Sequence, residues 1–149
     1  MAKVLTPTPI WMKGMWMPYD DTPKDSTTKG RIGEYFVAYL LEREGIECTI
    51  VDRRGTDIFC RRSDDSLFTL EVKTASKPIY PSSASKTPRA NYDIKRTKAD
   101  WYAFVDLSTQ LVVFKPRSEV VQYANRKFYL DAGDFSPFEM QKTLQQVKG

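Results

Sequence analysis

The sequence predicts an α/β sandwich, with helices packed on a mixed β-sheet, and three observations predict it. Apolar residues recur at helical spacing from Ile32 to Leu41, and the pattern stops at Gly45. Three short β-rich runs follow, IECTIVD, DIFCRR and LFTLEVK, separated by RRGT and SDDS. Further helix-like and strand-like stretches then interleave without regular βαβ repetition, which argues for a mixed sheet.

Residues 1–28 hold four prolines and few periodic positions, so they read as an extended arm. Trp11, Trp16 and the interleaved methionines make that arm too apolar for simple disorder, and it is expected to pack on its own domain or on a partner chain. Thr27 or Thr28 can cap a helix running through GRIGEYFVAYLLERE, and Gly45 suits its end because glycine accepts positive φ. Glu34, Val37, Ala38 and Leu41 follow i, i+3, i+4, i+7; Ile32, Tyr35, Phe36, Tyr39 and Leu40 make a second apolar row. Glu34 thus begins an apolar stripe. A carboxylate aimed at a core needs a partner, although in a first turn it can also face solvent, where the helix N-terminus favours negative charge.

The three β-rich runs read as a meander. Residues 74–89 carry Pro78, Pro81 and Pro88 and read as loop, with a short helix over 92–99. Strands are expected at 101–107 and 111–115, a helix at 118–125, a short strand at 127–130 and a terminal helix at 138–147. A core over 29–116 with an extension over 117–149 packed on it makes a single domain.

The 149 residues can bury about two-thirds of their unfolded surface. No apolar run approaches the roughly 20 residues of a membrane span, and the first residues lack a clean signal-peptide core. An intracellular protein of cytoplasm or nucleoid, neither secreted nor membrane-bound, is the expectation. Cys48 and Cys60 fit no metal-ligand spacing and are expected as reduced, buried thiols. Histidine is absent, which removes Ser-His-Asp and Cys-His catalysis and His-dependent zinc sites.

The net charge of +4 is concentrated. Lys77, Lys86, Arg89, Lys95, Arg96 and Lys98 stand against Asp93 alone in residues 75–98. A basic surface there would draw polyanions by counterion release. Those side chains can also be a solvated loop and helix face.

The run before this segment, LFTLEVK, ends in two charges. Along a strand Glu71 and Lys73 point one way and Phe68, Leu70 and Val72 the other. If the second and third runs form an antiparallel hairpin, its loop decides which residue faces them. A loop of Ser63, Asp64 and Asp65 sets Asp57 opposite Glu71, and a loop of Asp64, Asp65 and Ser66 sets it opposite Lys73. A regular four-residue loop turns Asp57 to the other face. With an odd loop, a bulge or a bend, two carboxylates and an ammonium share one patch that Glu34 could reach. Such hard oxygen ligands suit Mg²⁺, which favours a few carboxylates plus waters and phosphate oxygens.

These residues resemble the PD-(D/E)xK nuclease superfamily: a helix with Glu34, Asp57 in RGTDIF, and Glu71-Val72-Lys73 ending an apolar strand. The stretch KGRIGEYFVAYLLEREG is similar to small Holliday-junction resolvases, and ADWYAFVDLSTQLVVFKP to small intron-encoded members. The resemblance implies a restriction-endonuclease-like αβββαβ core whose mixed central sheet is flanked by helices. It further implies DNA cleavage by a metal-activated water. Asp57, Glu71 and the Val72 carbonyl would bind Mg²⁺ (or Mn²⁺), Glu34 would assist through metal or water, and Lys73 would be the catalytic lysine. Lys77, Lys86, Arg89, Lys95, Arg96 and Lys98 would hold the DNA backbone. Cutting two strands needs two sites, hence a homodimer or higher symmetric oligomer. The rival readings are a non-catalytic nucleic-acid-binding module on this fold, and an assembly protein whose Glu71 and Lys73 form a surface ion pair.

Overall fold

A computed structural model describes residues 26–53, 55–75 and 89–149. The arm up to residue 25, Lys77, Lys86 and the side chain of Arg89 lie outside the described residues. Helix α1 (Ser26–Arg43) leads into strands β1 (Glu47–Arg53), β2 (Thr56–Arg61) and β3 (Leu67–Ala75). Then come β4 (Arg89–Ile94), β5 (Trp101–Asp106), β6 (Leu111–Pro116), the short α2 (Arg117–Val120), β7 (Arg126–Asp131) and α3 (Pro137–Lys148). No helix among the described residues is long and apolar enough to cross a membrane.

The local chemistry explains where α1 ends. Gly45 adopts φ +86°, its N–H donates to Glu42 O, and the Ile46 N–H reaches back to Leu41 O. This pair of bonds is the Schellman stop that a glycine permits, and the residue beyond it, Ile46, is buried. The start differs from the expectation: α1 begins at Ser26, inside the residues read as arm. Val37 and Leu41 of one row and Phe36 and Leu40 of the other are buried, whereas Tyr35 is exposed. Full burial of such side chains stabilises by about 1.5–3 kcal/mol each.

The main sheet has the order β1-β2-β3-β5-β6, antiparallel except for the parallel pair β3/β5. Alternation along the strands separates two cores. Ile58, Phe68, Leu70, Ala103 and Val105 face α1 and α3, which contributes Leu144 and Val147. Tyr102, Phe104 and Val113 face the two-stranded sheet of β4 and β7, with Tyr92, Ile94, Phe128 and Leu130. Phe104 stacks on Phe128 at 4.7 Å between centroids. The mixed sheet flanked by helices is the fold class the sequence predicted.

One expected element is corrected. Residues 92–99 do not form a helix; 89–94 are strand β4, paired with β7 from Arg89↔Asp131 to Ile94↔Arg126. Tyr92 and Ile94 are buried with Asp93 exposed between them, a period of two that only a strand accommodates. The strand lies within the return that the parallel β3/β5 pair requires. The remaining expected helices and strands are present, with boundaries shifted by a few residues.

Cys48 and Cys60 sit directly opposite each other on β1 and β2 as free thiols, Cys60 buried and Cys48 half-buried. The facing Cys48 thiol, together with burial, pushes the Cys60 thiol far above its ordinary pKa.

Candidate active site

The β2–β3 hairpin adopts the first of the three possible loops. Arg62 N–H donates to Ser66 O at 2.8 Å, closing a loop of Ser63, Asp64 and Asp65. Asp65 takes φ +69°, and the Asp64 carboxylate accepts from the Ser66 N–H at 2.9 Å and Oγ at 2.6 Å. Short polar side chains that bond their own backbone and tolerate positive φ fix such a turn. The ladder therefore runs Arg61↔Leu67, Cys60↔Phe68, Phe59↔Thr69 and Ile58↔Leu70. Continued one step past Ile58↔Leu70, this register would set Asp57 opposite Glu71, on the face that Glu71 and Lys73 share.

The regular ladder stops at that step. The next N–H in the pattern, that of Val72, donates to Asp57 Oδ2 at 2.7 Å. On the other side of Asp57, β1 shifts register between Ile50 and Arg53, a bulge that bends the strand. Asp57 thus lies where β2 leaves the sheet, its carboxylate tied across to β3.

Glu71 is only 7 % exposed. Lys73 Nζ lies 3.0 Å from its Oε2, yet off the direction of a hydrogen bond. That oxygen is therefore paired electrostatically and lacks a hydrogen-bond partner among the described residues. A buried carboxylate oxygen in this state is costly, and it offers a lone pair to a cation or to water. Tyr102 stands beside Glu71 as its partner on β5.

Glu34 is half-buried on α1, the helix that covers the opposite face of the sheet. Its neighbour Gly33 abuts β3 so closely that a Cβ there would overlap Thr74 Oγ1. The turn bearing Glu34 therefore meets the end of β3 one residue beyond Lys73. Among the described residues no three His, Cys, Asp or Glu side chains lie together as a ligand set. Glu71 and Lys73 pair on one face of β3, Asp57 is tied to the Val72 N–H beside them, and Glu34 belongs to the helix that packs on the other face.

Lys95, Arg96 and Lys98 are exposed on the segment between β4 and β5. That segment packs on Gly55, two residues before Asp57: an added Cβ at Gly55 would lie 3.5 Å from Arg96 Cδ and 3.7 Å from Lys98 Cβ. Gly55 also takes φ +79°, which leads the chain into β2. The described basic residues therefore border the carboxylates. The second Asp-x-Lys triplet, Asp93-Ile94-Lys95, is a different case. Its Asp93 is an exposed partner of Lys127 at 2.9 Å, and this contact, helped by Lys95 and Lys73, holds the carboxyl below its ordinary pKa. Tyr92 and Trp101 pack in or against the two cores; the Tyr92 hydroxyl donates to Val105 O at 3.0 Å.

Gly33, Gly55 and Tyr102 shape this region without having been singled out from the sequence. An isolated glycine inside a helical pattern, or just before a strand, is a signal for close approach. Tyr102 has no local signal, since its place beside Glu71 depends on the register of β5 against β3.

No protein-family model matches the chain, and no curated protein does. A solved structure does: the bacterial homing endonuclease I-Ssp6803I is similar to this chain with a TM-score of 0.58 and 13 % sequence identity, over 83 % of this chain and 93 % of that one. At that identity the likeness establishes the fold, a mixed α/β architecture shared with a homing endonuclease.

Proposed function

We propose that the protein is a Mg²⁺-dependent DNA endonuclease of the PD-(D/E)xK kind. The observation that supports this reading is the three-residue hairpin loop, whose register, continued one step past Ile58↔Leu70, would set Asp57 opposite Glu71 on the face of Lys73. The fold shared with a homing endonuclease supports it. Asp57, Glu71 and the Val72 carbonyl hold the metal, Glu34 assists from α1, and Mn²⁺ can replace Mg²⁺. The donor set fits: a buried carboxylate oxygen lacking a hydrogen bond, a second carboxylate opposite it, and room in a metal's shell for waters and phosphate oxygens. When bound, the metal lowers the pKa of water and neutralises phosphate charge.

The chain's own part is positional. The Val72 N–H holds the Asp57 carboxylate at the end of β3. Lys73, held by Glu71, carries the cation that orients the attacking water or offsets charge growing on the phosphate. Lys95, Arg96 and Lys98, with Lys77, Lys86 and Arg89, hold the DNA backbone, and a homodimer or higher symmetric oligomer supplies the second site for a double-strand cut. The test is incubation of the protein with supercoiled, linear and branched DNA, with and without Mg²⁺. Cleavage is expected only with the metal and is expected to vanish in Lys73→Ala; cleavage unchanged in that variant overturns the mechanism. One rival is a DNA-binding protein on this fold without turnover. Binding with no cleavage in Mg²⁺ or Mn²⁺ selects it.

A further inference from the structure

We infer that Tyr102 is a positioning residue that fastens the basic segment 95–98 to the strand beside Glu71, so that phosphate-gripping cations and carboxylates form one rigid unit. The inference rests on the nucleic-acid reading above. The Tyr102 ring is fully buried, and its position on β5 is the partner of Glu71 on β3. Its hydroxyl leaves the core and donates to Arg96 O at 3.1 Å.

Two further contacts hold the same segment. Arg117 Nη1 donates to Lys98 O at 3.1 Å, and the stems of Arg96 and Lys98 rest on Gly55. The backbone is thus tied to β5, α2 and the start of β2, while the side chains of Lys95, Arg96 and Lys98 stay exposed. Fixing a segment before binding lowers the ordering cost that a phosphate contact otherwise carries. An unattached surface loop of the same charge lacks this advantage.

Tyr102→Phe removes the hydroxyl and keeps the ring. Tyr92→Phe is the matched control, since it removes another buried tyrosine hydrogen bond, to Val105 O, in the same core but not to this segment. The measurement is fluorescence anisotropy of a labelled DNA duplex and a labelled four-way junction in EDTA, across a series of NaCl concentrations. Tyr102→Phe is expected to weaken binding by about three- to tenfold, the size of one hydrogen bond, and to flatten the salt dependence by about one phosphate contact. Tyr92→Phe is expected to lose similar stability yet bind with the wild-type affinity and slope. If the wild type binds DNA and Tyr102→Phe matches it in both, the inference is overturned and the DNA reading stands. If the wild type binds neither DNA, both are overturned.

Discussion

Replacing Gly33 tests the junction of helix and strand with an internal standard. Inside a helix a Gly→Ala exchange stabilises by about 1 kcal/mol through propensity alone. Gly30, also in α1, isolates that effect, because a Cβ added there meets nothing within 4 Å among the described residues. At Gly33 the added Cβ would overlap Thr74 Oγ1 and stand 3.1 Å from Thr74 Cβ and 3.2 Å from its Cγ2. Either α1 moves off β3 or Thr74 is pushed from its place, and overpacking of this kind costs about 1–3 kcal/mol. In urea unfolding, Gly33→Ala is therefore expected to be less stable than Gly30→Ala by about 1–3 kcal/mol, with similar m-values. Gly33→Ala with Thr74→Ala is expected to recover most of the loss, because alanine lacks Oγ1 and Cγ2. If Gly33→Ala gains as much stability as Gly30→Ala, the close approach is refuted, and with it the placement of Glu34 beside the end of β3.

Three other outcomes follow from local contacts. Ser136 caps α3 by accepting from the Glu139 N–H at 3.0 Å, so Ser136→Ala is expected to cost about 1 kcal/mol in the same unfolding assay. Asp93 is held below its ordinary pKa chiefly by Lys127, so its stabilising contribution is present above the unfolded value near 4 and is lost as pH falls through the folded one. Lys127→Met should move the Asp93 carboxyl resonance titration upward and reduce the loss of stability on acidification; an unmoved titration refutes the pairing. Cys60, buried and facing the Cys48 thiol, should resist iodoacetamide at neutral pH until denaturant is added. Modification of the native protein at an ordinary thiol rate contradicts that environment.

What could be read from the sequence was what short-range chemistry decides. Gly45 announced the end of α1, and its two back-bonds supply the reason. The hairpin loop was narrowed to three registers by counting residues. Choosing between them required the Asp64–Ser66 bonds and the positive φ of Asp65, whose residue types are in the sequence but whose outcome is a balance of small energies. Strand β4 is not legible locally because prolines and basic residues precede it and the alternation of Tyr92 and Ile94 about Asp93 is too short to distinguish strand from helix. It exists through β7, more than thirty residues later. The pairing of Glu71 with Tyr102 and the position of Glu34 across the sheet depend on the parallel register and on helix packing, neither of which leaves a local trace. The expected patch of Glu34, Asp57 and Glu71 rests on strand register for two of its members and on helix packing for the third, and only the register can be counted from the sequence.

The central claim is that Asp57 and Glu71 act together on one divalent cation. Mn²⁺ binding, followed by water-proton relaxation in the presence of a duplex with a phosphorothioate backbone, tests it apart from turnover. A bound Mn²⁺ is expected in the wild type, lost alike in Asp57→Asn and in Glu71→Gln and kept in Lys73→Ala. Binding that survives both carboxylate substitutions would contradict it.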